Sequence, residues 1–187
     1  MGLTENVEYV LRDKHGNIKP LFQPNKLFRW LLNLGLVAPT FKIPFLLGHW
    51  TDKMVLSNLV VNAGMAGVAS RINGSGGEAA FTYIGVGIGT TGAAATDTAL
   101  ETERDESGAS NTNHKSATAS RVTTDVTNDT AQLVVTFNFT ATLAITESGV
   151  FNASPAGTML ARQVFSAVNV VSGDSLQVTW KFDVDTA

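Results

Sequence analysis

Few residues able to carry catalysis occur in this chain, and they are scattered. The absence of cysteine excludes disulfides, thiolate metal sites and a cysteine nucleophile. The three histidines, His15, His49 and His114, share no short metal-ligand spacing. No serine lies in the G-x-S-x-G context of a nucleophile elbow, so a Ser-His-Asp triad would have to assemble from distant parts of the chain. We therefore predict that the protein is not an enzyme and has no catalytic residues.

One glycine motif could bind a cofactor. Gly87-Ile88-Gly89-Thr90-Thr91-Gly92 matches the G-x-G-x-x-G pattern of dinucleotide-binding turns and follows a predicted strand. That fingerprint requires a helix after the glycines and then a second parallel strand ending in an acidic residue. Here a segment rich in Thr, Ala and Ser follows instead. We interpret these glycines as flattening a strand end and its turn, and we predict no cofactor and no small-molecule substrate.

A pair of carboxylates near the C-terminus could hold a cation. Asp183 and Asp185 alternate along a predicted strand, and with a loop carboxylate they could bind Ca²⁺. Such a pair is more often the solvated edge of a sheet, where charge discourages strand-to-strand aggregation. We therefore predict no metal site.

The elements that would position these residues are mainly strands. Apolar and polar residues alternate strictly over 133–145 and again over 176–184, and this period of two predicts half-buried strands. The outward faces carry Ser, Thr, Asn and Gln rather than converging catalytic groups. This composition favours a structural module.

Strand patterns recur through the second half of the chain. They predict strands near 80–88, 117–126, 131–145, 146–152, 158–166 and 174–184. Six or seven short strands at this spacing predict a mainly β fold, an antiparallel β-sandwich of immunoglobulin-like or jelly-roll type. We expect the polar segment 89–116 to be an exposed loop with one helical turn at Asp97–Glu103.

The N-terminal region has a different composition. Apolar runs at Val7–Leu11 and Ile18–Phe22 flank a Gly-Asn turn and predict a hairpin. Asn25 is a candidate N-cap for an apolar helix that ends at Gly35, and the proline-containing segment 39–50 should be extended. A second helix is predicted from residue 51 or 52 to Ile72. The Gly/Ser stretch 73–77 then predicts a boundary between an N-terminal arm and helical segment, 1–77, and a β-sandwich body, 78–187.

Large apolar side chains in the arm suggest an interaction surface. We predict that they are covered by a neighbouring subunit, since a large apolar patch is rarely left in water. The alternative is that they pack back on their own sandwich. The predicted interface residues are Phe22, Phe28, Trp30, Leu31, Phe41, Phe45 and Trp50.

Net charge and hydropathy limit the partners. The formal charge of −3 over 187 residues gives no reason to expect nucleic acid. Residues 1–53 hold seven Lys/Arg against four Asp/Glu, whereas residues 54–187 hold six against twelve, so a basic arm precedes an acidic body. We find neither a secretory signal pattern nor an apolar run of roughly 20 residues, and we expect no membrane contact and synthesis in a cytoplasm.

Residues 57–185 resemble small virion proteins of tailed bacteriophages. That family has a glycine-rich I-x-[VL]-G-x-G-T-T strand, an A-x-x-D-T-x-L-x-x-E loop and a closing block with [IV]-T-E-[SA]-G-[VL]-F-N, L-A-R-x-x-F and L-x-V-T-W. The matching segments here are Ile84–Thr91, Ala94–Glu101, Ile145–Asn152, Leu160–Phe165 and Leu176–Trp180.

The resemblance implies a structural role in a virion. It favours a capsid decoration (cement) protein on the capsid exterior that bridges and stabilises major capsid subunits. By analogy with other cement proteins, it would be a homotrimer at local three-fold positions. Similar sandwiches also occur in tail-tip, baseplate or fibre-associated proteins, which is the alternative. A third possibility is a sugar-binding or sugar-degrading role at such a tip. The sequence has no clustered Trp, Tyr, Asp and Glu residues that would favour this role.

Overall fold

The computed structural model describes residues 2–110 and 113–185, of which Gly2–Glu5 and Asp185 are described by their backbone alone. The fold is mainly β, with 45% strand and 11% helix. The strands are β1 (Gly2–Arg12), β2 (Ile18–Lys19), β3 (Leu21–Pro24), β4 (Gly48–Thr51), β5 (Met54–Ser57), β6 (Leu59–Val60), β7 (Tyr83–Gly87), β8 (Glu103–Arg104), β9 (Lys115–Ser116), β10 (Thr118–Val122), β11 (Thr130–Asn138), β12 (Leu143–Phe151), β13 (Met159–Val170) and β14 (Ser175–Asp185). The helices are α1 (Lys26–Asn33) and α2 (Asn62–Asn73).

Two six-stranded antiparallel sheets form a sandwich. The first has the order β10-β11-β14-β1-β2, with β5 also paired to β1. The second has the order β6-β13-β12-β7-β8, with β9 also paired to β7. A separate two-stranded sheet consists of β3 and β4. The predicted sandwich is thus confirmed as a mainly β, antiparallel fold.

The core lies between the two sheets. Val7, Val178 and Trp180 from the first sheet belong to the same apolar cluster as Ile145 and Phe165 from the second. The hydroxyl groups of Tyr9 in β1 and Ser148 in β12 form a buried hydrogen bond of 2.7 Å. The two sheets are therefore joined by apolar packing and by a satisfied polar contact.

The alternating segments form strands as predicted, with one difference. In β11, Leu133, Val135 and Phe137 are buried, whereas Thr136 and Asn138 are exposed. The predicted strand 131–145 is divided, because the chain bends at 140–141 between β11 and β12. Period-two alternation continues through such a bend, so the pattern alone does not locate it.

The pairing of β1 shows that the predicted division into an arm, 1–77, and a separate body, 78–187, is wrong. β1 pairs with β14 along its whole length, from Gly2 opposite Asp185 to Arg12 opposite Ser175. Because β5 and β6 also pair within the two large sheets, the stretch 73–77 does not separate an arm from the sandwich. The predicted hairpin is confirmed, since Leu11 and Arg12 pair with Lys19 and Ile18 in β2.

The two predicted helices differ in outcome. The first predicted helix is confirmed as α1. Its N-cap is Asn25, whose side chain accepts a hydrogen bond from the Phe28 N–H. Gly35 follows the end of the helix with a left-handed φ of 67°. The second helix is shorter than predicted, because residues 54–60 form β5 and β6 and α2 begins only at Asn62. The apolar residues of this stretch fit a strand as well as a helix, and pairing with β1 and β13 selects the strand.

The outer face of the second sheet is covered by the rest of the chain. At one end, Phe22, Phe28, Leu32 and Leu47 pack on Val164 of β13. At the other end, Leu100 packs with Val61, Phe151 and Met159. The predicted exposed loop 89–116 is therefore partly packed, and the predicted turn at 97–103 is not helical. Residues 111–112 of that loop lie outside the described part of the chain.

Candidate interaction surface

An exposed apolar segment lies on one side of the sandwich, within residues 27–50. Sixteen large apolar side chains are exposed in the described part of the chain, and nine of them fall within this segment. They are Leu27, Trp30, Leu34, Leu36, Phe41, Ile43, Phe45, Leu46 and Trp50. Scattered exposed apolar residues are ordinary, but such a concentration in a short stretch is typical of an interaction surface.

The apolar segment is anchored by aromatic packing beneath it. The ring of Phe22 in β3 lies 6.1 Å from that of Phe28 in α1 and 5.7 Å from that of Trp50 in β4, both edge to face. The Ser166 hydroxyl of β13 donates to the Phe22 carbonyl at 2.8 Å. These contacts fix α1 and the β3–β4 sheet on the sandwich, so the exposed side chains are held on a rigid support.

A second set of contacts fixes the proline-containing part of the segment. The Ala167 N–H of β13 donates to the Pro39 carbonyl at 2.9 Å, and the Lys42 ammonium donates to the Ala167 carbonyl at 2.7 Å. The same ammonium lies 5.4 Å from the centre of the Trp50 ring. Burial lowers the pKa of Lys42. The segment 39–50 is therefore held against β13 by its backbone as well as by its side chains.

Phe45 is the most prominent residue of the segment. Its side chain is 100% exposed, and its φ of 68° lies in the left-handed region. The turn is closed by hydrogen bonds from the Phe45 N–H to the Gly48 carbonyl (2.8 Å) and from the Leu47 N–H to the Ile43 carbonyl (2.9 Å). A left-handed conformation costs a residue other than glycine roughly 1–2 kcal/mol, and an exposed ring returns none of that to folding. This combination is typical of a residue kept for contact with another molecule.

The predicted interface residues divide into two groups. Phe22 and Phe28 are 2% and 0% exposed within this chain and cannot contact a partner, so their prediction is corrected. Leu31 is half-buried and packs beside them. Trp30, Phe41, Phe45 and Trp50 are exposed. Packing against the same chain therefore applies to Phe22 and Phe28, whereas contact of the exposed residues with another molecule stays a prediction.

Some exposed members were missed by the sequence reasoning. The predicted interface contains aromatic residues and Leu31 but no other aliphatic residue. Five further aliphatic side chains of the segment are exposed: Leu27, Leu34, Leu36, Ile43 and Leu46. A signal for the helical members was present. Leu27, Trp30 and the C-cap residue Leu34 are spaced three and four apart, which is the spacing of neighbours on one helix face.

A buried charge cluster organises the other end of the outer face. The Glu147 carboxylate of β12 is 0% exposed and accepts hydrogen bonds from the N–H groups of Gly89, Glu101 and Thr102 at 2.8–3.0 Å. Arg162 of β13 donates to it from Nε and Nη2 at 3.0 and 2.8 Å. The Arg162 Nη1 donates to Asp97 at 2.8 Å. Burial alone lowers the pKa of Arg162, but its contacts with Asp97 and Glu147 raise it overall.

This cluster explains the glycine motif. A Cβ atom on Gly87 or Gly89 would lie 2.5 Å from the Glu147 Oε1, closer than any side chain tolerates. The segment after Gly89 is held by the Glu101 carboxylate, which accepts from the Thr90 and Thr91 N–H groups at 2.7 Å. Gly87 and Gly89 therefore make room for a carboxylate of the same chain. Glu147 and Arg162 are the only charged residues of β12 and β13, and this was the available signal for the pair.

The other candidate groups do not converge. The buried His114 ring stacks on Phe151 at 3.6 Å and lies 3.5 Å from the Glu103 carboxylate, while Asp183 accepts from the Thr130 hydroxyl at 3.1 Å. Within residues 2–110 and 113–185, no group of three or more His, Asp or Glu side chains could hold a metal ion. Neither helix has the length and apolar composition needed to cross a membrane. No protein-family model, curated protein or solved structure matches the chain.

Proposed function

We propose that this chain is a structural protein of a phage virion, a capsid decoration protein that bridges neighbouring major capsid subunits. The observation that carries the proposal is the exposed apolar segment, with the fully exposed Phe45 at its tip. The resemblance of residues 57–185 to small virion proteins supplies the class of particle. The protein acts by contact and not by chemistry at a site.

The energetics of the apolar segment support a docking role. Burying a fully exposed Phe, Leu or Ile side chain contributes about 1.5–3 kcal/mol, and a half-exposed one contributes in proportion to the area that it still shows to water. Association itself costs an estimated 4–15 kcal/mol, so several such side chains must be buried together before binding is favourable. The segment presents nine, which is enough for a stable contact even if part of it stays at the rim.

The arrangement of the chain suits a bridging role. The exposed segment is mounted on the outer face of the second sheet, while the first sheet lies on the opposite side of the core. A rigid sandwich keeps the contact geometry the same in every copy, which repeated binding on a shell requires. We propose that three copies associate at local three-fold positions of the shell.

The test is binding to particles assembled from the major capsid protein. Trp30→Ala and Phe45→Ala should each reduce occupancy at least tenfold, because each removes a large contact side chain without disturbing the core. Ile72→Ala is the matched control, since Ile72 is 71% exposed but lies on α2, outside the segment. Full occupancy by the Trp30 and Phe45 variants would contradict the proposal.

Copy number separates the decoration role from the tail role. Quantitative mass spectrometry of purified virions should find hundreds of copies if the protein decorates the shell. A handful of copies per virion would assign the protein to the tail tip, baseplate or fibre instead.

A further inference from the structure

An open hollow lies within the apolar segment, between the end of α1 and the stretch that follows β7. Residues 33–39 form one wall and residues 90–92 the other, and the volume is about 530 Å³. None of these residues is charged. A cavity of about 150 Å³ already holds a benzene molecule, so the hollow has room for an aromatic side chain.

Both walls of the hollow are fixed by hydrogen bonds within the chain. The Leu36 N–H of the first wall donates to the Leu31 carbonyl at 2.9 Å, and the Glu101 carboxylate holds the second wall through two backbone N–H groups. The walls meet where a Cβ atom on Gly92 would lie 3.1 Å from the Asn33 Cα. The hollow is therefore formed before anything enters it.

Leu34 and Leu36 make the rim of the hollow apolar. They line it and are 54% and 65% exposed. The exposed Thr90 and Thr91 stand in the opposite wall. A rim without a charged group favours an apolar side chain, because a charged ligand would lose its hydration without gaining a partner.

Phe45 is the projecting side chain of the same segment. Its ring is fully exposed, and two hydrogen bonds close the turn that carries it. The projecting ring and the first wall of the hollow both belong to residues 27–50. A two-fold rotation axis therefore brings the ring of each copy to the hollow of the other, in two equivalent contacts.

The charges of the segment favour a second copy over an oppositely charged partner. Residues 27–50 contain no Asp or Glu and two Lys or Arg side chains, Arg29 and Lys42. Both are half-buried, and each donates to an oxygen of its own chain. Two identical surfaces bring like charges together, and few charges here oppose their contact. A standard interface draws about 20–30 residues from each side, which is the span of this segment.

We propose that the chain forms a two-fold dimer in solution, in which Phe45 of each copy occupies the hollow of the other. The dimer contact covers the apolar segment while the protein is free. Binding to a particle would replace this contact, since both use Phe45. The inference concerns the purified chain alone and does not depend on the virion role.

The first test is sedimentation velocity of the purified full chain over roughly 0.01 to 100 μM, since interfaces of standard size range from micromolar to tighter affinities. We expect a dimer that dissociates on dilution. Phe45→Ala should raise the dissociation constant about a hundredfold, because a tenfold loss at one contact residue occurs twice in a two-fold dimer. Leu36→Gln should weaken the dimer through the hollow. Ile72→Ala, at an exposed residue of α2, is the matched control and should leave the dissociation constant unchanged.

Cross-linking tests which residues meet. The chain has no cysteine, so Phe45→Cys and Leu36→Cys each carry a single thiol. The two variants are mixed, with one of them isotope-labelled, and treated with a short bismaleimide. Mixed pairs should exceed same-variant pairs, because only a mixed pair keeps one native contact and places both thiols at the other. A mixture of Ile72→Cys and Phe45→Cys is the control and should give no such excess.

The outcomes that overturn the inference are distinct from those that test the virion role. A chain that stays monomeric throughout, or a dimer that Phe45→Ala leaves intact, would refute it. Open-ended assemblies would refute the two-fold arrangement, and equal yields of mixed and same-variant pairs would refute the pairing of Phe45 with the hollow. A monomer that decorates particles would refute the dimer alone. A dimer that depends on Phe45 and fails to decorate particles would refute the virion role alone.

Discussion

At the scale of single residues, Glu147 is the charge on which the second sheet most depends. Its carboxylate joins β12, β13 and the segment 89–102 through five hydrogen bonds. Removing one partner of a buried ion pair costs about 3–5 kcal/mol where the other charge is left uncompensated, and less here because Arg162 keeps its bond to Asp97. We expect Glu147→Gln to lower the free energy of unfolding by up to about 3 kcal/mol, measured by urea denaturation.

The control for this prediction is Glu8→Gln. Glu8 forms ion pairs with Lys53 and Lys181 near the surface, at 3.1 and 3.3 Å. Such exposed pairs contribute within about 1 kcal/mol. Equal losses in the two variants would show that Glu147 contributes no more than a surface carboxylate.

Phe45 provides a second prediction at the residue scale. Phe45→Gly should raise the free energy of unfolding by up to about 1 kcal/mol, because glycine adopts a positive φ without strain and no buried contact is lost. The same variant should bind particles poorly. A variant that is less stable than the parent would mean that the ring contributes to folding, and the contact role of Phe45 would lose its support.

At the scale of elements, the turn between β10 and β11 should respond to acid. The Asp129 carboxylate accepts hydrogen bonds from the N–H groups of Val126, Thr124 and Asp125 at 2.5–2.9 Å. These bonds lower the pKa of Asp129, and the bond from Val126 makes the largest contribution. A lowered folded-state pKa adds stability above the unfolded pKa of about 3.9 and loses it as the pH falls further. The midpoint of thermal unfolding should therefore differ most between the parent and Asp129→Asn at pH 6. This difference should become smaller as the pH falls from 4 to 2.

Asp125→Asn is the matched control for the turn. Asp125 lies in the same turn, and its carboxylate makes no hydrogen bond among the described residues. Its substitution should leave the acid dependence of the midpoint unchanged. If both variants followed the same pH profile, general charge repulsion and not the Asp129 bonds would set the acid response.

β1 is the element whose loss should be most damaging. A chain that begins at Asp13 lacks Val7, Tyr9 and Leu11, all at most 2% exposed, and leaves β14 unpaired on one side. We expect it to aggregate, as an exposed apolar edge strand does, and to lose its cooperative unfolding by circular dichroism. The same holds for 78–187, which also lacks β1.

Complementation gives this prediction a positive control. A synthetic peptide of residues 1–12 should restore solubility and cooperative unfolding to the truncated chain. If 78–187 alone were soluble and unfolded cooperatively, the body predicted from sequence would be an independent domain after all.

At the scale of the whole molecule, we expect the particle contact to depend on apolar area more than on charge. A triple change of Trp30, Phe41 and Phe45 to alanine should release the protein from particles at any salt concentration. Changing Lys26 and Lys53 to glutamine should weaken binding only slightly, and less as salt increases, because exposed charges are screened within about 10 Å at 0.1 M.

Heat stability of the particle is the corresponding measurement. Particles without the protein, or with the triple variant, should release DNA at a lower temperature while attaching to cells normally. Particles of unchanged heat stability that fail to attach would contradict the decoration role and favour a position at the tail tip.

Local patterns were sufficient to predict much of the fold. Strict alternation identified the inward faces of β11 and β14, because a period of two sets which side chains share a face whatever the strand packs against. The cap at Asn25 was predicted for a similar reason, since it depends on residues only three apart.

Only the tertiary structure decided the partners of these elements. Composition suggested an arm, but β1 is held by an eleven-residue ladder with β14, a contact between opposite ends of the chain that no local pattern reveals. Phe22 and Phe45 look alike in sequence, yet Phe22 is covered by β13 and its neighbours, whereas no described residue covers the Phe45 side chain. The Glu147–Arg162 pair became apparent in the same way, since burial depends on what the rest of the chain packs around a residue.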